Sequence, residues 1–149
     1  MYDEISAGAV LFLNGEGTEL MYLILNYSYG HWDFPKGNIE PGETETETVF
    51  REISEETGIQ DIRIVDGFRQ QISYKYRKKS KLINKTVIYY LAETKSREVV
   101  LSFEHNNFGW YTFDQALEKL SFENSKRVLR VADQFLSSNQ NIKGRSVKL

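Results

Sequence analysis

The stretch from Gly37 to Ile59 constrains this chain most, because it forces a broken loop and a helix of unusual charge into immediate succession. Gly37, Pro41 and Gly42 interrupt any regular element before residue 43. Residues 44–57 contain neither Gly nor Pro, and Gly58 is available to end a helix. The pattern predicts a helix over 44–57, capped at its start by Thr44 or a neighbour. At about 100° per residue, Val49, Phe50 and Ile53 fall on one arc and Glu52, Glu55 and Glu56 on another. Like charges three and four residues apart oppose a helix by about 0.2–0.5 kcal/mol per pair. Two readings accommodate that cost. One is a solvated acidic face. The other is a set of carboxylates gathered for a cation, since clustered carboxylates raise one another's pKa unless a cation neutralises them, and hard oxygen donors suit Mg2+ or Mn2+.

Around this helix the chain reads as alternating β and α segments. Apolar runs over 5–13 and 20–26 flank Asn14-Gly15-Glu16-Gly17, the signature of a hairpin with a Gly-rich turn. Residues 62–76 and 85–93, rich in Ile, Val, Tyr and Phe, read as two longer β segments joined by a basic turn. A short aromatic strand over 108–113 and a brief helix over 114–120 follow. Residues 124–137 then form an amphipathic helix with Val128, Val131, Ala132 and Phe135 inward. Helices inserted between strands predict an α/β fold with a mixed sheet covered by helices. No repeat or linker divides the chain, so residues 1–140 read as one domain and 141–149 as a short basic tail carrying Lys143, Arg145 and Lys148.

Composition narrows the functional classes. A 149-residue chain can bury one sizeable core. The absence of cysteine excludes disulfides, thiolate metal sites and cysteine nucleophiles. Apolar runs such as residues 8–13 are too short to span a bilayer, and Asp3 and Glu4 stand where a signal peptide would be basic. The expectation is a cytoplasmic protein with no membrane partner. A net charge of -2 excludes a strongly basic nucleic-acid binder, but it averages two opposed regions. Residues 40–56 carry Glu40, Glu43, Glu45, Glu47, Glu52, Glu55 and Glu56 against Arg51 alone, a local balance of -6 that leaves +4 for the rest.

The spacing Gly37, Glu43, then Arg51-Glu52-Ile53-Ser54-Glu55-Glu56-Thr57-Gly58-Ile59 resembles the Nudix box, with every defined position matched. The resemblance implies a Nudix-type α/β/α sandwich with a central mixed sheet and a catalytic loop-helix-loop. It also implies hydrolysis of a nucleoside diphosphate linked to another group, assisted by Mg2+ or Mn2+. By position, Glu52, Glu55 and Glu56 are the expected metal ligands, Arg51 and Glu43 a structural pair, and Gly37 and Gly58 backbone devices.

Residues 31–43, His31-Trp32-Asp33-Phe34-Pro35-Lys36-Gly37-Asn38-Ile39-Glu40-Pro41-Gly42-Glu43, are similar to the segment preceding the box in asymmetric diadenosine tetraphosphate hydrolases, although Asn38 stands where a His is common there. Gly67-Phe68 with Tyr74, the run Lys85-Thr86-Val87-Ile88-Tyr89-Tyr90-Leu91-Ala92, Leu101-Ser102-Phe103-Glu104-His105 with Trp110, and Phe122 extend the likeness. It implies Lys36, Lys85 and His31 as phosphate contacts and Tyr74 and Phe122 as base-stacking platforms, where stacking contributes roughly 1–3 kcal/mol per base. It adds Glu104 to the metal-binding carboxylates. Lys78, Lys79 and Lys81 read instead as a solvated hairpin tip.

The implied reaction is attack of water on a phosphorus of diadenosine tetraphosphate, giving ATP and AMP. Glu56 is the first candidate for general base and Glu104 the second, with Glu55 also at the catalytic centre. Alternatives are another Nudix pyrophosphohydrolase acting on RNA 5′ ends, ADP-ribose or nucleoside triphosphates, or a non-catalytic nucleotide sensor.

Overall fold

The computed structural model describes residues 2–14 and 19–139. The expected basic tail over 141–149 and most of the first hairpin turn lie outside the described residues. Eight strands and three helices are described, in the order β1 (Tyr2–Leu13), β2 (Met21–Tyr27), β3 (Trp32–Asp33), β4 (Lys36–Asn38), α1 (Glu45–Thr57), β5 (Ile62–Ile64), β6 (Gln70–Lys78), β7 (Lys81–Thr94), β8 (His105–Tyr111), α2 (Phe113–Lys119) and α3 (Glu123–Ser138).

The sheet is mixed, as expected. β1 runs parallel to β7 along its whole length, from Tyr2 opposite Ile83 to Leu13 opposite Thr94. Every other pairing is antiparallel: β1 with β2 and β4, β2 with β3 and β8, and β7 with β5 and β6. Period-2 alternation along β1 sends its side chains to opposite faces. Ala7, Ala9 and Leu11 pack with Leu23, Leu25, Val49, Ile53 and Ile59 under α1. Val10 and Phe12 pack with Phe34, Val87, Tyr89, Ala116, Val128, Leu129 and Leu136 under α2 and α3. Helices therefore cover both faces, in the α/β class.

Several boundaries differ from the sequence expectation, each for a local reason. The predicted long strand over 62–76 is broken into β5 and β6 at Gly67, whose φ of +92° only glycine adopts readily. The adjacent Phe68 turns inward against Phe135. β7 starts four residues earlier than predicted, at Lys81, because Lys79 and Ser80, both at positive φ, close a tight turn and leave Lys75, Arg77, Lys78, Lys81 and Lys85 inside the strands. β8 begins at His105 and ends at Tyr111, where Thr112 takes over as the N-cap of α2. Phe50, expected on the buried arc of α1, is 44% exposed, because the helix docks through a narrower stripe of Val49 and Ile53.

Thr44 is the N-cap of α1. Its hydroxyl accepts from the Glu47 amide while the Glu47 carboxylate accepts from the Thr44 amide, a reciprocal capping box worth about 1 kcal/mol. Gly58 closes the helix at φ +75° and donates to the Ser54 carbonyl. With both ends fixed, Glu52 and Glu56 are carried to the end of the β1–β4 ladder, where Lys36 and Gly37 lie opposite Gly8 and Ala7.

Candidate active site

One guanidinium locks the loop before α1 to the helix. Arg51 Nε donates to Glu43 Oε2 at 2.6 Å. Its Nη2 donates to Glu43 Oε1 at 3.0 Å and to the Asn38 carbonyl at 2.9 Å. Nη1 donates to Glu52 Oε1 at 2.8 Å and Glu55 Oε1 at 3.1 Å. A planar five-donor fork suits this task where a lysine could serve only one point. The Arg51 hydrogen bonds hold the Glu43 carboxyl down at about 2. Glu43 also accepts from the Glu40 amide and the Thr48 hydroxyl, which closes the loop.

Glu56 sits in the opposite condition. It is 5% exposed, accepts from the Lys36 amide at 3.2 Å and shares a hydrogen bond with Glu52. Burial, and then the Glu52 charge, push it up to about 9. Glu52 is raised as well, burial outweighing the attraction of Arg51. Gly37 makes this approach possible, since a Cβ there would fall inside the Glu52 carboxyl group. The buried Glu56 and the partly buried Glu52 are thus both shifted toward the protonated form.

Beside the pair runs a column of rings. Tyr27 stacks on His31 at 5.0 Å and 11°, and its hydroxyl donates to the Phe34 carbonyl at 2.6 Å. Beyond it, His31 meets Phe122 at 5.3 Å. Tyr27 also meets His105 in a T-shaped contact at 4.5 Å and 64°, and Lys36 Nζ lies 4.6 Å from the Tyr27 ring centroid. The column leads from the half-exposed Phe122 to His105, whose Nε2 stands 4.0 Å from Glu56 Oε2. Burial, followed by the Lys36 charge, lowers the His31 pKa. Lys36 Nζ is also 3.7 Å from the buried Asp33, which accepts from the Ser125 hydroxyl of α3 at 2.8 Å.

The remaining expected residues are distributed as follows. Lys85 is buried, with Nζ donating to Asn38 Oδ1 at 2.8 Å and Glu4 Oε1 at 3.3 Å; burial lowers its pKa, opposed by Glu4. Tyr74 lies opposite Lys85 in the β6–β7 register and is 40% exposed. Glu55 is exposed and turned toward Arg51. Glu104 is exposed on the turn before β8, its carbonyl accepting from the Ser28 amide at 3.2 Å. Sequence alone points to no role for Tyr27, His105 or Asn38. Nothing in their spacing distinguishes them, and each acquires its position from a strand pairing.

Among the described residues no three His, Asp or Glu side chains are gathered about one ion-sized point. Arg51 instead holds the Glu52 and Glu55 carboxylates by hydrogen bonds. The Glu52–Glu56 pair nevertheless fits a divalent cation. It offers hard oxygen donors, and both carboxyls are raised by burial, the condition that a nearby positive charge would relieve.

The family model described as NUDIX domain matches residues 4–131. The asymmetrical bis(5′-nucleosyl)-tetraphosphatase of Rattus norvegicus is 42% identical over 129 residues, covering 83% of this chain and 85% of that protein. The Caenorhabditis elegans protein of the same name is 31% identical over 137 residues, covering 89% and 96%. Among solved structures, the binary complex of a C. elegans Ap4A hydrolase superposes with a TM-score of 0.79 at 30% identity, covering 91% of this chain and 98% of that one.

Proposed function

This chain belongs to the Nudix family and is a Nudix hydrolase, and from that premise we propose that it cleaves diadenosine tetraphosphate asymmetrically, to ATP and AMP, with Mg2+ or Mn2+ as cofactor. The observation that carries the reading is the buried Glu52–Glu56 pair at one end of a ring column whose other end is the half-exposed Phe122. A polyphosphate with an aromatic base calls for both a carboxylate site and an aromatic surface. The similarity to tetraphosphatases over most of the chain supports the substrate class.

Glu52 and Glu56, with Glu55 one turn away, would hold the cation, which when bound neutralises phosphate charge and promotes ionisation of the attacking water. Glu56 takes the proton of that water as general base, the role for which its enclosed position and raised pKa suit it. Lys36 Nζ, His31 and, where Glu4 and Asn38 release it, Lys85 meet phosphate oxygens. Phe122 and Tyr74 supply base-stacking surfaces. Arg51, Glu43, Gly37 and Gly58 keep the loop and helix in register, and Glu104 is available from the neighbouring turn as a further carboxylate.

The test is a substrate panel in Mg2+ followed by product analysis in 18O water. Diadenosine tetraphosphate should be the best substrate, with ATP and AMP as products and label in one of them. Faster turnover of triphosphorylated RNA or ADP-ribose would overturn the substrate assignment.

A further inference from the structure

His105 carries an unresolved contact. Its side chain is 1% exposed and its Nε2 has no hydrogen-bond partner, which is costly for a buried polar atom. Its Nδ1 is already taken, 2.9 Å from the Ser102 hydroxyl. The contact accommodates a ring proton on Nε2, the Ser102 hydroxyl then donating to Nδ1, and the group that Nε2 faces is Glu56 Oε2 at 4.0 Å. The other carboxylate oxygen, Oε1, accepts from the Lys36 amide.

The ring is held there from several sides. His105 lies opposite Tyr27 where the β2–β8 register shifts, a bulge that redirects side chains. Tyr27 packs against it in a T-shaped contact and is itself fixed by its hydroxyl. The turn carrying Ser102 is tied to α1 by the bond from the Ser102 amide to the Glu56 carbonyl at 3.4 Å, and to His105 by the bond from the His105 amide to the Ser102 carbonyl at 3.2 Å. Closing the remaining gap to a hydrogen bond of about 2.9 Å takes a shift of about 1 Å.

Building on the hydrolase reading above, we propose that His105 is a positioning residue for Glu56, its Nε2–H orienting the carboxylate that acts as base and cation ligand. Outer partners of this kind, which fix how a ligating group is aimed, change metal affinity or activity by about 10–100-fold when removed.

Glutamine and asparagine separate this role from packing. The amide nitrogen of glutamine can replace Nε2, whereas that of asparagine can replace only Nδ1. We expect His105→Leu and His105→Asn to lose about 10-fold or more in Mn2+ affinity by calorimetry, and a similar factor in kcat at saturating metal, with KM within about twofold. His105→Gln should recover most of both. Should His105→Leu fail to fold, as judged by a thermal melt in EDTA, Ser102→Ala removes only the Nδ1 partner and should lose several-fold in the same direction. Wild-type values in His105→Leu, or impairment of His105→Gln equal to that of leucine, would overturn the proposal. So would 14N coupling to bound Mn2+ that disappears in His105→Leu, since it makes the ring a direct ligand. A wild-type protein that binds Mn2+ but spares diadenosine tetraphosphate refutes the substrate reading and leaves the Mn2+ series to decide on His105.

Discussion

Glu43 and Glu56 are chemically identical side chains on either side of one loop-helix junction, and the fold drives their pKa values in opposite directions. Glu43 receives hydrogen bonds from Arg51, Glu40 and Thr48 and is held at about 2. Glu56 has one backbone donor, a second carboxyl for company and almost no solvent, and is pushed up to about 9. The first carboxylate already has a guanidinium and two further protein donors to balance its charge. The second is left short of positive charge, which is the condition that gives a bound cation its binding energy. Donor count and burial, rather than residue type, thus set the two carboxyls apart.

The comparison breaks most severely at Glu56. Glu56→Gln keeps the shape and removes the ionisable group, so kcat on diadenosine tetraphosphate should fall by about 10^2–10^4. The metal-free melting temperature at neutral pH should hold or rise, because the native state no longer has to keep a buried carboxyl protonated. Next in size is Gly37→Ala. Its Cβ collides with the flexible end of Glu52 and not with backbone, so folding should change little. The displaced carboxylate should cost about 10-fold in turnover and in Mn2+ affinity, readable by steady-state kinetics and calorimetry. Equal losses of stability and activity would instead make Gly37 a folding residue.

Arg51→Met tests the Glu43 side. Removing the fork leaves Glu43 and Glu52 without their charged donor, and hydrogen bonds to charged groups contribute about 1.5–3 kcal/mol. A loss of about 2 kcal/mol, with melting lowered by several degrees, should appear in urea and thermal unfolding. Arg51→Lys should recover only part of it, because one ammonium cannot reach Glu43, Asn38 and Glu52 together.

How much of this was legible in sequence follows from range. Arg51, Glu43 and the glutamates of α1 were readable because they act within one loop-helix unit, where spacing along the chain determines proximity in space. The mixed sheet and its covering helices were readable from alternation and helical period. The split at Gly67 was not, since a single left-handed residue inside an apolar alternation leaves the alternation intact. β3 and β4 are too short to show any period. Tyr27 and His105 were beyond reach for a different reason: their roles depend on the β2–β8 register and its shift, which join residues from distant parts of the chain. Lys85 was readable as a cation near the site, but its bonds to Glu4 and Asn38 come from the parallel β1–β7 pairing and the β1–β4 ladder.

The smallest expected effect sharpens the comparison most, because it reads both carboxylates in one experiment: stability against pH in EDTA. The folded pKa of Glu43 is depressed, so its contribution is present above the ordinary value of 4.5 and is lost as pH falls toward about 2. The folded pKa of Glu56 is raised, so between 4.5 and about 9 the native state holds a proton that the unfolded chain has released. Its contribution is therefore full below 4.5 and declines as pH rises to about 9. Urea unfolding should show an acid limb that flattens in Glu43→Gln and an alkaline limb that flattens in Glu56→Gln. The proposed cation site requires the ionised pair, so Mg2+ should stabilise the wild type more at pH 8 than at pH 5, and this difference should vanish in Glu56→Gln. An alkaline limb that persists in Glu56→Gln would assign that proton elsewhere and dissolve the contrast between the two glutamates.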